Sequence, residues 1–196
     1  MNMPKRHRGF TLIELLVVVA IISLLVSILM PSLAKVKLLA GNAKCLSNLK
    51  QHYMAFIYYA QDNGDRIVDW DGNNNNPTNS IMPYLGVTSK YKGSDVRRCP
   101  LAEFSMADEK SYGINHRIGG AKKVETLYTV YPGGDTLMIW ADSDAKRVIA
   151  KVSEMEFRHP AGEGICNMVM LSGNVKGFPR IEYEYGFTLG FYNDWK

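Results

Sequence analysis

The sequence has none of the compact motifs that announce an enzyme. It has no Gly-x-Ser-x-Gly elbow, no phosphate-binding P-loop, no Gly-rich dinucleotide turn and no His-Glu-x-x-His. A Ser-His-Asp set could be assembled on paper from Ser172, His159 and Asp142. Geometry and not mere presence defines a triad, so these residues read as a turn, a loop or strand edge, and an acid. The reading is of a protein that is not an enzyme.

Cysteine is scarce. Cys45, Cys99 and Cys166 are far apart and form no CxxC pair, so no metal-binding signature is visible. Outside the cytoplasm one pair could form a disulfide, leaving one thiol over. Equally, all three could be small buried apolar side chains. Clustered basic charge is also lacking. The net charge is +4, and Lys5, Arg6 and Arg8 at the extreme N-terminus supply three of those charges. The remainder is nearly neutral, which leaves no electrostatic case for nucleic acid as a partner.

What is present is concentrated at the start. Leu12 to Met30 is broken by only Glu14, Ser23 and Ser27 as polar residues. About 20 helical residues rise roughly 30 Å, enough to span a bilayer's hydrocarbon layer. The basic tip before it suits a cytoplasmic flank. An ordinary secretory signal would cut after Ala34, within Ser32-Leu33-Ala34. The apolar run is longer than such signals carry, Glu14 lies inside it, and a helical pattern continues through the cut.

The string Gly9-Phe10-Thr11-Leu12-Ile13-Glu14-Leu15-Leu16-Val17-Val18 resembles the class III signal of type IV pilins and type II secretion pseudopilins. The resemblance covers the short basic leader, Gly9 before the cut, Phe10 as first mature residue, Glu14 as the fifth and Pro31 as the twenty-second. It implies cleavage between Gly9 and Phe10 by a prepilin peptidase, with methylation of the Phe10 amine. It further implies a filament in which copies of the chain and other pseudopilins pack through this helix, extended from an inner-membrane assembly platform. Glu14 would then meet the amine of a neighbouring subunit. An acid at the centre of a membrane helix costs about 2.5–3.5 kcal/mol on insertion scales, so such a partner favours transfer into the assembly.

After Pro31 the apolar positions narrow to a stripe of Val36, Leu39, Ala43, Leu46, Tyr53, Ile57 and Ala60, joined by Leu49 and Phe56. One helix from Thr11 to Gln61 would be about 75 Å long. Asp62-Asn63-Gly64-Asp65 ends it. The organisation expected is a leader over 1–9, a transmembrane and filament-core helix over 10–31, an amphipathic half over 32–62 and a head over 63–196.

Residues 62–135 read as loop-rich. Strand signals follow at 136–141, 147–152, 165–171, 175–178 and 181–185, with a hairpin turn at Ser172-Gly173-Asn174. The expected fold class is α+β, a long N-terminal helix packed against a small antiparallel β-sheet head. Asp69 and Asp71 alternate like the start of a calcium loop, and Asp142 and Asp144 form a second oxygen-rich pair. They are weak Ca2+ candidates, because Gly72 and the missing twelfth-position Glu break the loop pattern.

The head is also similar to one pseudopilin-like group, large in planctomycete- and lentisphaera-type bacteria, that resembles the major pseudopilin. The matching stretches are Cys45-Leu46-Ser47-Asn48-Leu49-Lys50-Gln51, Tyr59-Ala60-Gln61-Asp62, Arg98-Cys99-Pro100 and Ser111-Tyr112-Gly113-Ile114-Asn115. In that group an Arg-His pair precedes an Asp-Gly turn by about nine residues. Here Arg158-His159 stands farther from Ser172-Gly173, and Ser replaces Asp. The group's paired cysteines imply a Cys45–Cys99 disulfide, with Cys166 buried in a strand.

Overall fold

The computed structural model describes residues 10–68, 77–87, 96–102, 111–115, 118, 123–134, 137–143, 148–149, 155–159 and 164–179. The leader, Asp69, Asp71, Asp144 and the expected strand at 181–185 lie outside these. The chain divides into two compact units, Met1–Lys37 and Leu38–Lys196.

Helix α1 runs from Leu12 to Asp62, as the apolar run and the stripe behind it predict. It continues through Pro31, whose missing N–H and fixed φ would be expected to loosen one turn. Its end is built as the Asn-Gly-Asp sequence suggests. Gly64 and Asp65 take positive φ, and the Asp65 N–H reaches back to the Ala60 carbonyl at 2.7 Å. Asp65 also opens the next helix but one: its carbonyl and carboxylate accept the N–H groups of Val124 and Glu125.

Within the second unit, α2 (Pro77–Ile81) leads into a 3-10 turn (Met82–Leu85), and α3 covers Val124–Val130. Five strands follow the order β3-β1-β2-β4-β5. They are β1 (Tyr112–Asn115), β2 (Met138–Asp142), β3 (Val148–Ile149), β4 (Ile165–Met170) and β5 (Val175–Pro179). The fold is α+β as expected, with two additions. Strand β1 and helix α3 lie in the region read as loop, and β3 joins β1 in parallel, so only four of the strands form the antiparallel sheet.

The C-terminal part of α1 holds the sheet through Gly41, Cys45, Asn48, Leu49, His52, Tyr53, Ala55, Phe56 and Ala60. Leu49, Tyr53, Phe56 and Ala60 belong to the expected stripe. Val36 and Leu39 instead remain about 60% exposed, and the face is completed by a glycine, an asparagine and a histidine. The polar members are paired. The Asn48 amide donates to the Arg98 carbonyl and the Tyr112 hydroxyl, and His52 Nδ1 lies 3.0 Å from the Asn48 carbonyl. The His52 ring packs against Tyr112 and Trp140.

Both faces of the sheet bury apolar side chains. Leu137, Ile139, Trp140, Val169 and Leu171 join the core under α1, whereas Met138, Ala141, Cys166, Met168, Met170 and Phe178 pack with Met155 on the other face. Ile139 and Trp140 are consecutive, yet both belong to the α1 core. A bulge explains this: Met138 and Trp140 pair with Met170 and Val169, so β2 carries one extra residue there. Alternation resumes one step out of phase, and Asp142 arrives on the helix side.

The β4–β5 hairpin turns at the expected Ser172-Gly173-Asn174, closed by Gly173 N–H to the Met170 carbonyl at 2.9 Å. Gly173 has φ +82°. The turn rests on Gly134, whose φ is +71° and whose missing Cβ would stand 2.6 Å from the Ser172 nitrogen. Gly134→Ala is therefore expected to cost about 1–3 kcal/mol, measured as a lowered denaturant midpoint. An unchanged midpoint would show that the turn does not depend on this approach.

Candidate functional site

The N-terminal turn of α1 is a capping box. Thr11 is the cap: its hydroxyl accepts the Glu14 N–H at 3.3 Å, and Glu14 Oε2 accepts the Thr11 N–H and hydroxyl at 2.8 and 2.9 Å. Thr11-Leu12-Ile13-Glu14 carries the T-x-x-E signature of this cap in the sequence itself. The two roles are compatible, because a carboxylate oxygen pair has about four acceptor positions. Thr11→Ala removes the reciprocal bond and should loosen this turn by about 1 kcal/mol. Faster amide exchange over residues 12–15 in detergent would report it, and unaltered exchange would contradict it.

From Leu12 to Leu39 the large apolar side chains are exposed, from 40% at Val26 to 85% at Leu12. Among the described residues, no part of the span-length apolar window is buried. Its hydroxyls are turned inward on the helix: Ser23 to the Val19 carbonyl, Ser27 to Leu24, Ser32 to Leu29, at 2.7–2.8 Å. Each is a polar group satisfied within its own helix, as lipid requires. Phe10 is 71% exposed, and Gly9 lies outside the described residues.

A second constellation lies in the head and was not visible in the sequence. Cys45 from α1, Cys99 from the 96–102 turn, Asp142 from the end of β2 and His159 opposite Ile165 of β4 converge. All four are buried, and their donor atoms lie within 4.8 Å of one another. His159 Nε2 is 2.7 Å from Asp142 Oδ2 and 3.5 Å from Cys99 Sγ. Cys45 Sγ is 3.4 and 3.5 Å from the two Asp142 oxygens. The Asn167 backbone N–H donates to Asp142 Oδ2, while Tyr112 hydroxyl and Leu101 N–H hydrogen-bond to Cys45 and Cys99. His159 Nδ1 has no hydrogen-bond partner among the described residues.

The groups perturb one another strongly. Burial, with the nearby Cys99 and Asp142, pushes the Cys45 thiol well up. The hydrogen bond from Cys45 draws the Cys99 thiol down to about 6, against the opposing effect of burial. Burial disfavours a charged His159, but its bonds to Asp142 and Cys99 outweigh that and hold it at about 9.

The sequence-level candidates distribute as follows. Cys45 and Cys99, the pair implied as a disulfide, lie beside each other as free thiols, and Cys166 is a third free thiol buried in β4. Among the described residues, the groups gathered around the Asp142 carboxylate are two sulfurs and an imidazole, and Asp144 lies outside those residues. His159 and Asp142 of the paper triad do meet. Ser172 stands at the opposite end of β4 from them, roughly 20 Å along the strand, where its hydroxyl accepts the Asn174 N–H.

Residues 4–30 match the family model described as the prokaryotic N-terminal methylation motif. The N-terminus is type IV pilin-like. The motif covers the basic leader, the Gly9-Phe10 junction, the capping box with Glu14 and the apolar segment through Met30. The motif is that of chains processed by prepilin peptidase, and the apolar start of α1 is long enough to cross a membrane. No curated protein matches the chain, and no solved structure does.

Proposed function

We propose that this chain is a structural subunit of a type II secretion pseudopilus or a closely similar filament, and that its work is assembly and not catalysis. The observation that carries this reading is the methylation motif laid over a helix whose apolar segment, Leu12 to Met30, holds one acid, Glu14, one turn from the amine that cleavage would create. The precursor enters the inner membrane with Lys5, Arg6 and Arg8 on the cytoplasmic side, in keeping with the distribution of basic residues around such spans. Prepilin peptidase cuts after Gly9 and methylates Phe10. The single-span protein then waits with its head in the periplasm.

Exposed Leu, Val and Ile side chains around the helix gain nothing from one another in lipid beyond what lipid offers. The ion pair between Glu14 and a neighbour's Phe10 amine supplies the preference for the fibre over the bilayer. Filament growth from the assembly platform would then push secreted proteins outward. No cofactor enters this scheme. A signal cut after Ala34 fits poorly, since it would sever α1 in mid-course.

Co-expression with a prepilin peptidase, its assembly ATPase and its platform protein tests the reading. Sheared filaments containing the chain are expected. A processed chain that stays entirely in the membrane fraction would refute the assembly role.

A further inference from the structure

We propose that Cys45, Cys99, Asp142 and His159 form a structural zinc site that clamps α1 to the sheet. The donors suit the ion: thiolate, imidazole and carboxylate are the ligands of tetrahedral Zn2+, with Zn–S near 2.3 Å and Zn–N or Zn–O near 2.0–2.1 Å. A tetrahedron with those bonds separates a sulfur from a nitrogen or oxygen by about 3.5 Å. The distances found between Cys99 and His159, and between Cys45 and Asp142, are 3.4–3.5 Å. The His159–Asp142 pair is closer, at 2.7 Å. An ion would replace that hydrogen bond and open the pair by about 0.6 Å, to the spacing tetrahedral nitrogen and oxygen ligands adopt.

The surroundings support a closed structural site and not a catalytic one. All four residues are at most 1% exposed, so no position is open to water or substrate. Tyr112 hydroxyl, Leu101 N–H and Asn167 N–H each hydrogen-bond to one of three ligands, the outer contacts that orient donors around a metal. Zinc binding requires Cys45 and Cys99 as thiolates and His159 as a neutral imidazole, so whatever protons these three residues carry in the metal-free site are released, leaving two thiolates and one carboxylate around the dication. The three outer donors face the excess negative charge. A disulfide would need only the two sulfurs, and would not account for their separate contacts with the carboxylate and the imidazole. The ligands come from four places spread over 115 positions of the chain, so one ion ties α1, the 96–102 turn, β2 and the 155–159 segment bridged to β4 together.

The test uses the full chain purified in detergent without chelators, with metal content measured by inductively coupled plasma mass spectrometry. One zinc per chain is expected. Cys99→Ser and His159→Ala should each lower it at least tenfold, while Cys166→Ser should keep it. Exchange into Co2+ should give thiolate-to-cobalt absorption in the near ultraviolet and tetrahedral bands in the visible. If the ligand variants fail to fold, wild-type metal content and the cobalt spectrum decide alone. A folded wild-type chain free of metal, with Cys45 and Cys99 either alkylatable on unfolding or joined with the loss of two hydrogens, would overturn the site. Equal zinc in wild type and Cys99→Ser would overturn it too. Either outcome leaves the filament reading standing.

Discussion

Glu14→Ala is expected to leave the chain in the membrane and remove it from filaments. The substitution makes the apolar segment more hydrophobic, so insertion is not impaired. Thr11 loses its reciprocal cap, which costs about 1 kcal/mol locally. Neither effect expels the helix from lipid. The third effect decides: the neighbour's amine loses its partner in a low-dielectric fibre core, where an unpaired charge is far costlier than in water. Quantitative blotting of membrane and sheared fractions should show unchanged membrane levels and at least a tenfold fall in fibres. Glu14→Gln separates the cap from the charge, since a Gln side chain retains a capping oxygen. It should fail in fibres as well. Normal assembly of Glu14→Gln would assign Glu14 to capping and remove the ion pair from the mechanism.

The second large effect is in the head. Trp140 is fully buried beneath α1 and lies edge-on to His52, with ring centroids 5.2 Å apart. Its indole N–H has no hydrogen-bond partner among the described residues, so its contribution is packing. Trp140→Ala should cost about 3–5 kcal/mol, a large part of the 5–15 kcal/mol typical of a whole domain. For a chain of this size that lowers the melting temperature by roughly 6–20 °C. A loss below 1 kcal/mol would mean that α1 does not seat on β2 as described. Because the bulge at Ile139 and Trp140 also sets the phase of Asp142, the variant tests the register that builds the buried cluster.

The N-terminal half was legible because its physics is local. A span-length apolar run and the stripe behind it are properties of neighbouring residues, and they led to the helix. The helix end and the β4–β5 turn were legible for the same reason, through Gly64 and Gly173. Strand β1 was missed because all four residues of Tyr112-Gly113-Ile114-Asn115 are buried, so no alternation marks them. The dry face of α1 was misplaced where Gly41, Asn48 and His52 complete it, since hydrophobic periodicity does not count residues buried by close approach or by hydrogen bonds. The four-residue cluster was beyond reach. Its members are separated by at least 17 positions, and the bulge that turns Asp142 toward Cys45 leaves no signal of its own in the sequence.

The central claim is that the chain is cut at Gly9-Phe10 and kept as an N-methylated helix, so the most direct measurement is the intact mass of the mature protein recovered from membranes of cells that make prepilin peptidase. The account predicts a mass for residues 10–196 plus one methyl group, with the methyl located on Phe10 by fragmentation. A chain beginning at Lys35, or one still carrying its leader in the presence of an active peptidase, would contradict it.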